Sequence, residues 1–331
     1  MKRLFCLAPL ALALGCPAAD DSQNASINGG KDSGTGDSGS GSCGVHLTSL
    51  DPADGGVGVY YRDPITLSFD GDASAALIEV RDPSGTAAAM APTWSDGNVQ
   101  VTLAGVLAPS TSYTIHVELC DVTTDSAFMT SDVGTPLAVG NDELVGRTFS
   151  FAIADAEITE PSVLEMFDDG ALVAPLGFEV EQADDSTLTL LGALCAFDGG
   201  ETVQVSDMDT WDFPAADFTQ SPYFETATDY ISLDYLGYPI PLYDFAFSGN
   251  FNADGTAIVK GRVEGLVDTR SLGPLFNLDD SPDAVCVLAG DVGVYCTPCP
   301  SDSEEYCLFV VGEDITAPWV EGLDIEAYPP S

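Results

Sequence analysis

Short runs in which apolar and polar residues alternate recur along this chain, and they restrict it to β structure. Pro64-Ile65-Thr66-Leu67-Ser68-Phe69 alternates, as do Val99-Gln100-Val101-Thr102-Leu103 and Tyr113-Thr114-Ile115-His116-Val117-Glu118-Leu119. A period of two sends successive side chains to opposite faces of a sheet. Leu77-Ile78-Glu79-Val80 runs into the turn Asp82-Pro83-Ser84-Gly85, and Thr148-Phe149-Ser150-Phe151-Ala152-Ile153 closes the series. Short strands separated by turn signals predict a two-sheet sandwich.

A second region, residues 157–331, repeats the pattern with other contents. Leu176 to Glu181 and Thr187 to Leu191 flank Ala183-Asp184-Asp185-Ser186, which predicts a hairpin. A second hairpin follows: Phe245, Phe247, Gly249 and Phe251 alternate with polar or small residues, Asn252-Ala253-Asp254-Gly255 turns, and Ile258 to Glu264 returns. Gly249 and Gly261 inside the strands suggest bends of a curved sheet. Ser281-Pro282-Asp283 has the chemistry of a helix start, with Ala284 to Ala289 as the helix and Gly290 as its stop.

Leu50-Asp51-Pro52-Ala53-Asp54-Gly55-Gly56, then Asp63 to Phe69, Leu107-Ala108-Pro109-Ser110-Thr111-Ser112-Tyr113 and Arg147 to Phe151 stand in an order that resembles a bacterial Ig-like domain of surface-layer and adhesion proteins. The resemblance places this domain at residues 43–154 and implies a spacer or binding scaffold without a shared catalytic site. Residues 121 to 147 depart from it and read as a long polar insertion. Residues 157–331 resemble the carboxy-terminal half of lipoproteins from myxobacteria and their relatives, a likeness that brings no activity. The expected fold is all-β: an Ig-like sandwich, then a second antiparallel domain, sandwich or partly closed barrel, with a short helix and disulfides.

The chain starts with Met1-Lys2-Arg3, an apolar stretch from Leu4 to Leu14 and then Gly15-Cys16, the layout of a secretory signal. The apolar stretch is too short for a permanent transmembrane helix. Ala13-Leu14-Gly15-Cys16 resembles a bacterial lipoprotein signal, with residues 1–15 removed and Cys16 lipidated; an ordinary secretory cut nearby is the alternative. Residues 16–42 then form a tether of Gly, Ser and Asp that reaches about 30 Å as a coil and about 90 Å extended. Acids number 53 against 9 Lys and Arg, a formal charge of −44. Such a surface repels phosphate backbones and anionic headgroups. Nucleic acid is excluded as a partner, and the membrane is reached through the Cys16 lipid. Pro17 in place of Asp favours the outer membrane or cell surface.

Beyond Cys6 and Cys16, seven cysteines remain: Cys43, Cys120, Cys195, Cys286, Cys296, Cys299 and Cys307. In an exported chain they are disulfide candidates, and the odd number leaves at least one thiol over. Cys43 before the first strand and Cys120 at the end of a late one form one candidate bridge. Cys296-Thr297-Pro298-Cys299 has zinc-like and redox-like spacing, but export favours disulfides, and the acids that follow oppose a low thiol pKa. The acidity itself reads as solvation or as calcium binding, although no stretch has EF-hand spacing. No nucleophile elbow, zinc helix or phosphate loop is present, and both histidines, His46 and His116, fall in the Ig-like region. Tyr230, Tyr235, Tyr238 and Tyr243 are either strand core or a ligand face. The expected role is non-enzymatic: structure, adhesion or binding of a protein or glycan partner at the envelope. The alternatives are a glycan hydrolase with a carboxylate pair in the second domain and a carrier of a small apolar ligand.

Overall fold

The structure, a computed structural model, describes residues 44–161, 174–235 and 237–328. The signal segment, Cys16, the tether and Cys43 lie outside the described residues, as does the side chain of Tyr235. The first domain contains β1 (Leu47–Asp51), β2 (Gly56–Val59), β3 (Ile65–Phe69), β4 (Leu77–Arg81), β5 (Ala91–Ser95), β6 (Gln100–Ala104), β7 (Ser112–Leu119) and β8 (Val122–Thr130). They form two four-stranded sheets, in the orders β1-β3-β6-β5 and β2-β8-β7-β4. The alternation seen in the sequence sets which face is buried: Ile65, Leu67 and Phe69 of β3 meet Tyr113, Ile115 and Val117 of β7 in one apolar core. The turn after β4 is fixed by Asp82, whose Oδ1 accepts the amides of Ser84 and Thr86 at 2.9 Å each.

Two boundaries differ from the sequence reading. Val122–Thr130, expected within an insertion, is a strand paired along its length with β7, from Ser112↔Met129 to Leu119↔Val122. Its backbone ladder holds it, with Phe128 as its buried apolar anchor, so its side chains carry little alternation. The strand β9 (Thr148–Ala152), read as the close of the Ig-like series, instead belongs to the second domain. Phe149 and Phe151 sit in that domain's core, and the strand pairs with Pro175–Glu179. Alternation identifies a strand and its buried face; it does not name the sheet.

The second domain continues with β10 (Glu157–Glu160), β11 (Pro175–Ala183), β12 (Thr187–Asp198), β13 (Glu201–Gln204), β14 (Trp211–Asp212), β15 (Ala216–Asp217), β16 (Tyr223–Tyr235), β17 (Tyr238–Phe251), β18 (Ala257–Asp268), the helix α1 (Ala284–Asp291), β19 (Thr297–Pro298) and β20 (Glu305–Pro318). One sheet runs β10-β20-β18-β17-β16, with β19 on β20; the other runs β13-β12-β11-β9, with β14 and β15 on β12. A bridge between Phe149 and Trp319 joins the two at one corner, so the sandwich is partly closed.

Both expected hairpins form. Asp184 Oδ1 accepts the amides of Ser186 and Thr187 at 2.8 and 2.9 Å between β11 and β12. Asn252 Oδ1 accepts those of Thr256 and Ala257 between β17 and β18, and Gly255 takes a φ of +68° that favours glycine. The helix runs past the expected stop at Gly290 and ends at Asp291, with Gly293 at a φ of +87° two residues beyond.

The described residues of both domains belong to one compact unit. Tyr61 Oη donates to Asn250 Oδ1 at 2.8 Å, and Asn250 Nδ2 donates to Tyr60 Oη at 2.7 Å. Beside them the Arg62 guanidinium lies 3.4 Å from the Tyr223 ring centroid and donates to Gln220. The first domain is therefore seated on the Asn250 end of β17.

Candidate functional site

The interior of the second domain changes character along β17. From Phe245 to Phe251 the inward side chains are phenylalanines; Phe247 touches the rings of Phe151, Phe178 and Phe224 at centroid distances of 5.9, 4.6 and 5.3 Å. On the other side of Asp244 the inward residues are Ile240 and Leu242. Asp244 has a φ of +51°, and the β17–β18 register shifts between Tyr243 and Ala246, so a bulge marks the border. Gly265 faces it: a Cβ there would stand 3.2 Å from the Tyr243 carbonyl oxygen.

In the aliphatic half the two sheets do not fill the space between them. They leave a cavity of about 500 Å³. Leu233, Ile240, Leu242, Val267, Leu308 and Val310, with Ile158 of β10, come from one sheet, and Leu176 of β11, with Ile153 just after β9, from the other side. Leu272, Leu275 and Phe276, around a short 3-10 turn at Gly273–Phe276, and Val285 of α1 cover its end. The size and the apolar lining are those of a small-molecule pocket. Polar residues along the lining are Glu157, Glu264 and Thr269. The Thr269 hydroxyl donates to the Tyr306 carbonyl at 2.7 Å, and Glu264 accepts from Arg262 at 2.7 Å.

The cap over the cavity is covalently fastened. Cys286 of α1 bonds to Cys296, and Cys299 bonds to Cys307 of β20. The Cys-x-x-Cys pair thus serves two separate disulfides and is neither a dithiol couple nor a zinc site. Asp268, at the end of β18, is buried against Cys299 and Cys307; among the described residues these three form a cluster with metal-ligand geometry. Its sulfurs are bonded to each other, and its carboxylate is held by the Arg270 guanidinium at 2.5 and 2.9 Å, so no free donor set for calcium stands there. Arg270 also reaches Asp302 at 2.5 Å, and the two carboxylates hold its guanidinium pKa up.

Cys195 is the free thiol the odd count requires. Burial pushes its pKa up to about 12, and its Sγ would stand 2.8 Å from a Cβ at Gly177, so it is packed and inert. Cys120 is disulfide-bonded; Cys43, its expected partner, lies outside the described residues. Tyr230, Tyr238 and Tyr243 are not among the cavity's lining residues. Tyr230 and Tyr243 are cross-strand partners with rings 5.5 Å apart, on the face of β17 opposite to Leu242, and Tyr230 is half exposed. Tyr238 is half-buried and pairs with Tyr235 at the end of the hairpin.

Two carboxylates, Glu157 and Glu264, are among the lining residues, and Glu264 is paired with Arg262. The carboxyls held above their usual range, Asp63 and Glu179, owe this first to burial, and neither lines the cavity. Both histidines form pairs in the first domain: His46 with Asp70 at 3.0 Å, and the mostly covered His116 with Asp125 at 2.6 Å. The cavity-lining residues carried no separate sequence signal, because Leu, Ile and Val at inward strand positions read as ordinary core.

Residues 44–133 match the family described as bacterial Ig-like domain. No curated protein matches the chain. Among solved structures the chain is similar to the crystal structure of CopC from Methylosinus trichosporium OB3b, at 18% identity over 26% of this chain and 93% of that one, with a TM-score of 0.23. An Ig-like domain and disulfides fit an exported protein with a non-enzymatic binding or surface role. No helix among the described residues is long and apolar enough to cross a membrane. The family match ends before β9, so it covers the first domain and the cavity-bearing domain lies beyond it.

Proposed function

We propose that this chain is a lipid-anchored envelope protein without catalytic activity whose second domain holds a small apolar molecule between its sheets. The observation that supports this is the cavity of about 500 Å³ with its Leu, Ile and Val walls, in a domain packed with phenylalanine elsewhere. Well-packed interiors leave few voids larger than a water molecule, and an apolar space of this size gains by exchanging water for hydrocarbon. The Cys16 lipid and the tether hold the domains near the outer membrane, and the Ig-like domain positions the carrier. Nucleic acid is not a partner, because a charge of −44 opposes it. Contact with a protein or glycan surface is a second reading, favoured by Tyr230, half exposed and in ring contact with Tyr243.

The test is fluorescence of the neutral probe N-phenyl-1-naphthylamine with the purified protein, free of detergent. Saturable enhancement at one probe per chain is expected. Val267→Trp, which fills the space from β18, should weaken it by roughly tenfold or more, the effect of losing about 1.4 kcal/mol of contact. Absence of saturable binding by the folded protein rejects the carrier reading.

A further inference from the structure

We infer that the cavity takes an uncharged hydrocarbon-like ligand and rejects the ionised carboxylate of the matching fatty acid; this rests on the cavity being a ligand site. A carboxylate drawn into an apolar pocket needs a cation or several hydrogen-bond donors. None of the lining residues is Lys, Arg or His. Every Lys and Arg past position 43 already holds a partner. Arg62 lies on Tyr223 at the far end of the domain, and Arg81 pairs with Glu79 in the first domain. Arg147 donates to the Gly255 carbonyl, and Lys260 pairs with Asp314. Arg262 is shared by Glu264 and Glu313, and Arg270 is held by Asp268 and Asp302. The hydroxyl among the lining residues, that of Thr269, already donates to a backbone carbonyl.

The surroundings act in the same direction. Exposed Glu157 and partly exposed Glu264 belong to the cavity's lining, and the whole chain is strongly anionic. The field slows the approach of an anion and is screened by salt; the missing donor penalises residence and is not. A neutral ligand meets neither barrier. The two contributions separate by ionic strength.

The experiment displaces bound N-phenyl-1-naphthylamine from the purified protein with dodecanol and with dodecanoate, at about pH 8, where the acid is ionised. Dodecanol should displace the probe at a concentration roughly thirty-fold lower or better, and raising salt from about 0.1 M to about 1 M should narrow that gap by less than about threefold. Val310→Lys, which places a cation on the wall from a half-buried position, should improve dodecanoate displacement by roughly tenfold and so narrow dodecanol's advantage to about threefold. Equal displacement by both compounds on the wild-type protein overturns the inference while leaving the carrier reading intact. A gap abolished by salt overturns it as well, since the surface field would then account for the whole preference. Failure of the probe to bind at all removes the carrier reading, and this inference with it. Should Val310→Lys fail to fold, the wild-type comparison decides alone.

Discussion

The two halves of the second domain share strands and differ in what fills them. On the Asn250 side of the Asp244 bulge, phenylalanines from both sheets interlock, and the first domain seats on that end through Tyr60 and Tyr61. On the other side, aliphatic residues line open space, and the closure comes from α1, a 3-10 turn and two disulfides. One half is rigid because it is full. The other needs covalent fastening because it lacks the contacts that filling would supply. A single pair of sheets thus separates a filled end, which seats the first domain, from an open one along its length.

The largest effects should come from emptying the full half. Phe247 is fully buried among three other rings, so Phe247→Ala should cost about 3–5 kcal/mol, read from denaturant unfolding. Leu242→Ala, across the bulge, should cost about 2 kcal/mol, near the lower end for such a change, because its side chain already faces unfilled space. Equal losses would mean that the two halves are equally packed, and the contrast would fail. Next comes the fastening. Replacing Cys286 and Cys296 together by Ser opens a link across 10 positions and should cost about 2–3 kcal/mol. Hydrogen exchange should rise over Ala284–Asp291 and stay unchanged at Phe247; a uniform rise would show that the cap and the phenylalanine half open as one unit.

These contrasts were only partly written in the sequence. The hairpins at Asp184 and Asn252 were legible because each turn is decided by one side chain and its neighbours' amides. The helix start at Ala284 was legible from Ser281-Pro282-Asp283, although Asp283 occupies the N-cap and no side chain caps the helix. The odd cysteine count required a free thiol, and the burial of Cys195 supplies it. The sheet that β9 joins was not legible, since Phe149 and Phe151 alternate identically whichever core receives them. Nor was the cavity. Whether Ile240 and Leu242 meet partners or space depends on residues up to Leu308 and on the bulge at Asp244, none of them local in sequence. The tyrosines drew the ligand reading because they are conspicuous, yet Tyr243 faces away from the cavity that Leu242 lines.

A smaller effect sharpens the division of labour between the two ends. Asn250 is fully buried and joins Tyr60 to Tyr61 across the domain contact. Asn250→Ala removes both hydrogen bonds and should cost about 1–3 kcal/mol. Because Asn250 lies eight residues along β17 from Leu242, at about 3.3 Å per residue, affinity for the naphthylamine probe should not change. A parallel loss of probe affinity would show that seating of the Ig-like domain controls the cavity.

The smallest expected effect concerns the strap that follows β20. Thr148 Oγ1 donates to the Leu323 carbonyl, the Ile325 amide donates to Glu179, and Ile325 packs with Leu191 and Ala193 on the outer face of the β11–β12 sheet. Burial raises the Glu179 carboxyl above its ordinary range; the Ile325 amide opposes this and the Asp324 charge adds to it. A carboxyl whose folded pKa is raised contributes stability that is complete below its unfolded pKa and is lost as pH rises through the folded one. Turn aspartates such as Asp184 and Asp254, held low by their Ser and Thr donors, contribute in the opposite sense and lose stability as pH falls. Total stability therefore hides the Glu179 contribution, and a difference isolates it. Glu179→Gln keeps an oxygen to accept the Ile325 amide and removes the charge. The variant should exceed the wild type in stability most at neutral pH, and its advantage should shrink as pH falls through the carboxylate range. An advantage that stays constant or grows toward acid would mean that the charged form of Glu179 is the one the strap prefers.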